Sequence, residues 1–235
     1  MNLKEFIEQC SEEKDYHRVT MKRLYYDAFK SWIDDFDTDE PKEPRVIALK
    51  TLGLHSDDGF FIWSYTGSCS SWLNSDKRNC NGYDSECKQY FANGLTTALL
   101  KLPIYVGKVW RWEEADEKLK KFNWFKDHIG TTIKVPYFLS TSKDNITADP
   151  MLWDINTIEG GNAREITKIS NAPCEQEILF LPDAKFLITG VEDDNRTVNL
   201  QELDPDTETQ FDLCRVYYFE PEDIDPEMIA PGMFD

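Results

Sequence analysis

Apolar side chains recur at helical spacing through the first hundred residues, and the rest of the chain carries short apolar runs broken by turn residues. Leu3, Phe6 and Ile7 fall on one helical face. Leu24, Tyr25, Ala28, Phe29 and Trp32 fall on one face of a second helix, so residues 1–36 read as helical. Residues 45–54 read as a further helix and residues 60–63 as a short apolar run. Phe91, Leu95, Ala98, Leu99 and Leu102 keep helical spacing until Pro103, which cannot continue a helix. Small hydroxyl residues around Gly67 read as a loop feeding a helix, and residues 74–86 read as a polar loop. Beyond Pro103 the pattern predicts strands over residues 105–112, 133–139, 166–169, 174–180 and 186–191, with 198–203 or 216–219 as the last. A charged helix-like segment (113–126) and a loop-rich segment (145–163) lie between them. A helical first half and a strand-dominated second half predict an α+β architecture.

Composition narrows the class. Seven Trp, 10 Tyr and 14 Phe in 235 residues belong to a folded domain with a sizeable core. With 44 acidic against 26 basic residues the net charge is −18, which repels nucleic-acid backbones and anionic lipid, so neither is expected as a partner. A basic protein or a guanidinium-bearing substrate suits such a surface. Residues 1–13 are polar, with no apolar signal-peptide core, and no stretch is long and apolar enough to span a membrane. The expectation is a soluble protein, cytoplasmic or delivered into a host cell as an effector. The six Cys form no C-x-x-C pair and the three His are scattered, so no metal site is expected and the thiols are read as mostly free, with Cys69, Cys80 and Cys87 the group to check. The alternating acids from Asp35 are not a calcium loop, because Glu40 stands where that loop needs Gly and Val46 where it needs Glu.

Three features carry candidate chemistry. Arg111 sits within an apolar strand pattern, where a charge needs a partner. Ser140, Thr141 and Ser142 end a predicted strand. Glu175 and Glu177 open another, and strand alternation would set both carboxylates on one face with Leu179, with Ile178 and Phe180 on the other. Like charges that close raise at least one pKa. There is no phosphate-binding G-x-x-x-x-G-K-[ST] loop, no G-x-G-x-x-G and no G-x-S-x-G elbow.

An Arg, a Ser-Thr-Ser and a Glu-x-Glu in this order resemble the arginine–serine–glutamate class of mono-ADP-ribosyltransferases. Residues 102–111 are similar to that family's approach to its NAD-binding Arg, and the resemblance covers roughly residues 60–191, including Tyr65-Thr66-Gly67 and Phe180-Leu181-Pro182. It implies two packed antiparallel sheets with NAD in the cleft between them. With the pattern of the flanking residues, this divides the chain into a helical cap over residues 1–58, a catalytic core over 59–203 and an acidic C-terminal segment over 204–235 packed on the same domain. By the same resemblance Arg111 grips the NAD pyrophosphate, and Ser140 positions Glu177. Thr141 and Ser142 complete the cofactor-binding group with Arg111 and Ser140. Glu177 stabilises the positive sugar formed as nicotinamide leaves and holds the ribose 2′-hydroxyl. Glu175, at the position where members of other specificity have Gln, orients an arginine acceptor and takes its proton.

Two positions depart from the family pattern. Trp112 follows the Arg where Gly is common and is read as a core residue. Ala172 stands where an aromatic often helps recognise the target protein. The implied function is transfer of ADP-ribose from NAD to an arginine of a target protein, with nicotinamide released. An NAD glycohydrolase is the alternative, and an inactive domain that binds a basic partner the second alternative.

Overall fold

A computed structural model describes residues 3–10, 29–113, 119–145 and 151–214, except the side chains of residues 9, 10 and 68. The chain divides into two compact units. The expected helix through Leu24 therefore falls largely outside the described residues, as do the candidate strand over 216–219 and most of the acidic C-terminal segment.

The first unit comprises Met1–Asp76, Asn81–Pro103 and Ile166–Cys174 and is helical. Its helices are α1 (Leu3–Cys10), α2 (Lys30–Phe36), α3 (Pro44–Thr51), α4 (Ser56–Ser64), α5 (Ser70–Arg78) and α6 (Glu86–Leu100), with a π turn at Tyr65–Cys69. Their starts follow from capping chemistry. Pro44 opens α3 behind a Glu43 cap, His55 and Asp58 form a reciprocal box on α4, and Ser85 caps α6. The core is aromatic, with Phe61 edge-on to Phe91 at 5.4 Å and Phe29 edge-on to Phe60 at 5.0 Å. Gly94 permits the close approach of α6 to α4, because a Cβ there would lie 2.4 Å from the Phe61 ring.

Two expectations are corrected in this unit. The polar loop expected from Asn74 begins only after Arg78, because Trp72 and Leu73 bury one face of α5 and Asn74 is itself buried, its amide donating to the Tyr65 hydroxyl at 3.1 Å. Residues 166–169 turn rather than extend. Ile169 and Ser170 both donate backbone hydrogen bonds to the Ile166 carbonyl, and Ile166 and Ile169 are buried from that turn.

The second unit comprises Lys77–Cys80, Ile104–Glu165 and Glu175–Asp235. Its strands are β1 (Lys108–Glu113), β2 (Thr132–Val135), β3 (Leu139–Ser142), β4 (Met151–Asn156), β5 (Ala163–Glu165), β6 (Glu177–Phe180), β7 (Ala184–Glu192), β8 (Thr197–Glu202) and β9 (Phe211–Asp212). Helix α7 (Lys120–Asp127) buries Phe122 and Phe125 against them. Among the described residues all nine join in one sheet of order β5-β6-β3-β1-β4-β8-β7-β2-β9. Pairing is antiparallel except for β4–β8 and β2–β9, which are parallel. The two antiparallel sheets expected are thus the halves of one mixed sheet, joined where β1 pairs with β4 over six residues. The sheet curls so that its halves face each other. Phe180 on β6 and Phe186 on β7 lie far apart in strand order, yet their rings are 5.4 Å apart in the shared core.

The segment expected to be loop-rich after residue 145 contains β4, a central strand with neighbours on both sides. Asp154 and Asn156 broke its apolar run, but Trp153 and Ile155 are fully buried. The loop after β4 is held by Glu202, whose buried carboxylate accepts from the Ile158 amide at 3.1 Å and from the Asn162 amide. Cys80 and Cys214 form a disulfide across 134 residues, so these two thiols are not free as expected. Cys69, Cys87 and Cys174 lie outside that disulfide and keep their thiols. No helix among the described residues is long and apolar enough to cross a membrane.

Phe180→Ala removes a fully buried ring from the contact between the sheet's halves. It should cost about 3–5 kcal/mol, read as a lowered denaturation midpoint with the helical signal of the first unit as an internal reference.

Candidate active site

Three adjacent strands of the second unit assemble the candidate residues. In β1–β3 pairing Trp110 stands opposite Ser142, and in β3–β6 pairing Ser142 stands opposite Glu177. Directly opposed residues of antiparallel strands share a face. Trp110, Ser142 and Glu177 therefore form a row, with Trp112 and Ser140 on the same face by alternation. The other face, with Val109, Leu139, Ile178 and Phe180, belongs to the core. A cleft of about 290 Å³ opens here, lined by Trp110, Arg111, Trp112, Ser140, Thr141, Ser142, Glu175 and Glu177. All six site residues expected from the sequence line it.

Ser140 is the junction. Its hydroxyl donates to Glu177 Oε1 at 2.6 Å, and its carbonyl accepts from Arg111 Nη1 at 2.7 Å. Arg111 Nε donates to Glu113, two residues along the same strand, which supplies the partner that a cation within a sheet requires. Thr141 is buried, and its hydroxyl donates to the Ile178 carbonyl at 2.8 Å, fastening β3 to β6. Ser142 donates to the Glu175 carbonyl at 2.7 Å and accepts from the Asp144 amide at 2.9 Å.

The acidic pair departs from the expected single strand. Pro173–Glu175 forms a 3-10 turn, Gln176 is left-handed at φ 47°, and the strand begins at Glu177. Pro173 and the reversal at Gln176 break the pleat, so the alternation expected to set Glu175 beside Glu177 does not operate. Glu175 is exposed at the cleft and Glu177 is 4% exposed within it. A left-handed non-Gly residue costs roughly 1–2 kcal/mol, so the surrounding contacts must hold Gln176 in place.

Burial pushes the Glu177 carboxyl up to about 7. The Ser140 hydrogen bond and the Arg111 charge oppose that rise, and the Glu175 charge adds to it. Repulsion between the two acids was the cause expected from the sequence, but loss of water is the larger one.

Trp112 is not a core residue as expected. It is half-buried and lines the cleft, because its strand position shares a face with Ser140. Trp110 escaped the sequence reading altogether. It also lines the cleft, and its indole donates to Asp154 at 3.3 Å. The signal that would have linked them is the two-residue period that puts Trp110 and Trp112 on one face of β1. The donor set fits NAD: a fixed guanidinium for the pyrophosphate, hydroxyls for the ribose, aromatic walls for a planar ring and a buried carboxylate for a cationic sugar. Among the described residues no cluster of His, Cys, Asp and Glu could hold a metal.

No family model matches the chain. Over 148 residues it is 31% identical to a Mycobacterium avium (strain 104) protein, Mav, named as a candidate NAD(+)–arginine ADP-ribosyltransferase; the match covers 61% of this chain and 17% of that protein. The chain thus matches about a sixth of that relative's length. Among solved structures it is similar to Plx2a, an ADP-ribosyltransferase toxin from Paenibacillus larvae, with TM-score 0.57, 20% identity, and coverage of 79% of this chain and 96% of that one. It is also similar to the ADP-ribosyltransferase HopU1 of Pseudomonas syringae, with TM-score 0.58, 16% identity, and coverage of 74% and 87%. C3stau2 from S. aureus, solved with NAD, gives TM-score 0.56, 16% identity, and coverage of 75% and 94%.

The raised pKa of Glu177 makes a stability prediction. Its folded value of about 7 exceeds the ordinary value of 4.5, so folding favours the protonated acid. That contribution is complete below pH 4.5 and is lost as pH rises through 7. Glu177→Gln does not titrate, so it should be more stable than wild type at pH 8 by about 3 kcal/mol and near wild type at pH 4.5, as measured by urea denaturation at both values.

Proposed function

We propose that this chain, whose fold is that of the ADP-ribosyltransferases, moves ADP-ribose from NAD to an arginine side chain of a target protein and releases nicotinamide. The observation that carries the reading is the linkage of Arg111, Ser140 and Glu177 through one serine, with 2.7 Å to the guanidinium and 2.6 Å to the carboxylate. The catalytic core in this reading is residues 59–203, with residues 1–58 as a helical cap and 204–235 as an acidic C-terminal segment.

Arg111, held by Glu113 and the Ser140 carbonyl, presents a planar cation to the pyrophosphate. Thr141 and Ser142 keep β3 and the Glu175 turn in place around the ribose. As the bond between nicotinamide and ribose breaks, the electron pair leaves with nicotinamide and positive charge grows on the sugar. Glu177 stabilises that charge when ionised, and the Ser140 hydrogen bond fixes its orientation. Glu175 stands in water at the edge of the cleft, where a protonated guanidinium can reach it. Its carboxylate orients the acceptor and takes a proton as the new carbon–nitrogen bond forms. The arginine-directed name of the Mycobacterium avium relative supports the same acceptor.

Two experiments test this. Labelled NAD incubated with a cell lysate should label arginine, as read by peptide mapping. Glu177→Ala should abolish both transfer and nicotinamide release, whereas Glu175→Ala should lose transfer and keep release. Nicotinamide release without label at any arginine favours the glycohydrolase alternative, and no NAD consumption favours an inactive domain that binds a basic partner. In the second experiment, kcat/KM should rise with pH to a plateau above about 7, because the ionised form of Glu177 is the active one. A profile flat from pH 5 to 9 would remove Glu177 from the chemistry.

A further inference from the structure

The segment after β3 and the turn before β6 are tied together more often than two loops need be. Ser142 Oγ donates to the Glu175 carbonyl at 2.7 Å, and the Lys143 amide donates to the Gln176 carbonyl at 3.2 Å. The Asp144 amide donates back to Ser142 Oγ at 2.9 Å, which fixes Asp144 on the same spot. From there the Asp144 carboxylate accepts from the Gln176 side-chain amide. Lys143 is anchored in turn on Glu165 at 2.6 Å.

These contacts converge on Gln176, whose backbone is left-handed at φ 47°. A Gln there lacks the short side chain with which Asn or Asp supports that conformation locally, so a tertiary partner must supply the support. Gln176 is also the link between the buried carboxylate and the exposed one, and its dihedral angles set the direction in which Glu175 leaves the cleft. Glu177 is held separately, by β6 pairing and by Ser140.

We propose that Asp144 and Gln176 form a clasp that positions Glu175 and thereby sets how ADP-ribose divides between a guanidinium acceptor and water. The inference rests on the transferase reading above. In both reactions the ribose–nicotinamide bond breaks with its electron pair leaving on nicotinamide. The same sugar carbon then bonds either to a guanidinium nitrogen, whose proton passes to Glu175, or to a water oxygen, whose proton passes to solvent. Only the first reaction depends on where Glu175 points. Asp144 and Gln176 do not line the cleft, so they are positioning residues rather than catalytic ones.

The test uses agmatine as the guanidinium probe and measures ADP-ribosyl-agmatine and total nicotinamide release in the same reaction. Asp144→Ala should lower the ratio of transfer to hydrolysis on the order of tenfold while NAD hydrolysis without agmatine stays within about twofold of wild type, since the Glu177 site is untouched. Asp144→Asn keeps an oxygen acceptor and should restore the ratio. Gln176→Met keeps the shape without the donor and should repeat the loss if Asp144→Ala fails to fold, and where both fold the double variant should be no worse than either single one. A spin label on the exposed Cys174, in a Cys10→Ser background, should sharpen its spectrum in Asp144→Ala and not in Asp144→Asn. An unchanged ratio with an unchanged spectrum, or an equal fall in both reactions, overturns the clasp while leaving the transferase reading standing. A wild type that hydrolyses NAD and modifies neither agmatine nor protein arginine overturns the transferase reading, and the clasp with it.

Discussion

The candidate site depends on one constraint: a carboxylate buried on the sheet's open face must be held by a donor that cannot leave. Ser140 meets it. Its hydroxyl is committed to Glu177 and its carbonyl to Arg111, so a single residue fixes the carboxylate and the guanidinium relative to each other. That geometry requires the strands bearing Arg111, Ser140 and Glu177 to be consecutive, and the strand order provides it. Strand pairing sets the separation and puts Ser140 and Glu177 on one face, and Arg111, which alternates with Trp110 and Trp112, joins them through the Ser140 carbonyl. The curl of the sheet serves the same end, because it buries the core face without covering the other.

The two acids of the pair occupy different physical worlds. Glu177 opens a strand and has lost most of its water, whereas Glu175 ends a 3-10 turn and keeps it. Two carboxylates on one pleated face would have shared one environment and competed for one proton. The left-handed residue between them separates their environments, so that only Glu177 is stripped of its water. The cost of that conformation falls on Gln176, and the hydrogen bonds from residues 142–144 offset it.

Much of this was legible in the sequence, and the exceptions have physical reasons. The helical spacing of Phe91, Leu95, Ala98 and Leu99 reads directly as α6, because a helix that buries one face cannot hide its period. The lining residues Arg111, Ser140, Thr141, Ser142, Glu175 and Glu177 were legible as a set because Arg111 interrupts an apolar run, the hydroxyl triplet ends one and the two acids precede one. The strand β4 was missed because Asp154 interrupts it, and that aspartate is tolerated by accepting from the Trp110 indole and pairing with Lys108, partners far away in sequence. The disulfide is equally remote, since Cys80 and Cys214 are brought together only by the folded second unit and no local spacing announces them. The break in the strand at Gln176 lacked the Gly or Asn that usually marks a left-handed residue.

The proton affinity of Glu177 shows why burial and a weak opposing field belong together in this site. Arg111 and Ser140 both favour the ionised acid, yet neither outweighs the loss of water, and the carboxyl is left near neutrality at about 7. A stronger neighbouring cation would ionise the acid permanently, but it would also neutralise the field that the cationic sugar of the proposed reaction would feel. A fully apolar pocket would keep the acid protonated at neutral pH and leave nothing to stabilise that sugar. Between these limits, a substrate that brings its own positive charge, as the nicotinamide ring of NAD does, shifts the balance toward the carboxylate on arrival. Ser140 can keep its hydrogen bond throughout, because a hydroxyl donates to the carbonyl oxygen of the acid as well as, more strongly, to a carboxylate oxygen. The site therefore needs no rearrangement to pass from its resting to its reactive charge state.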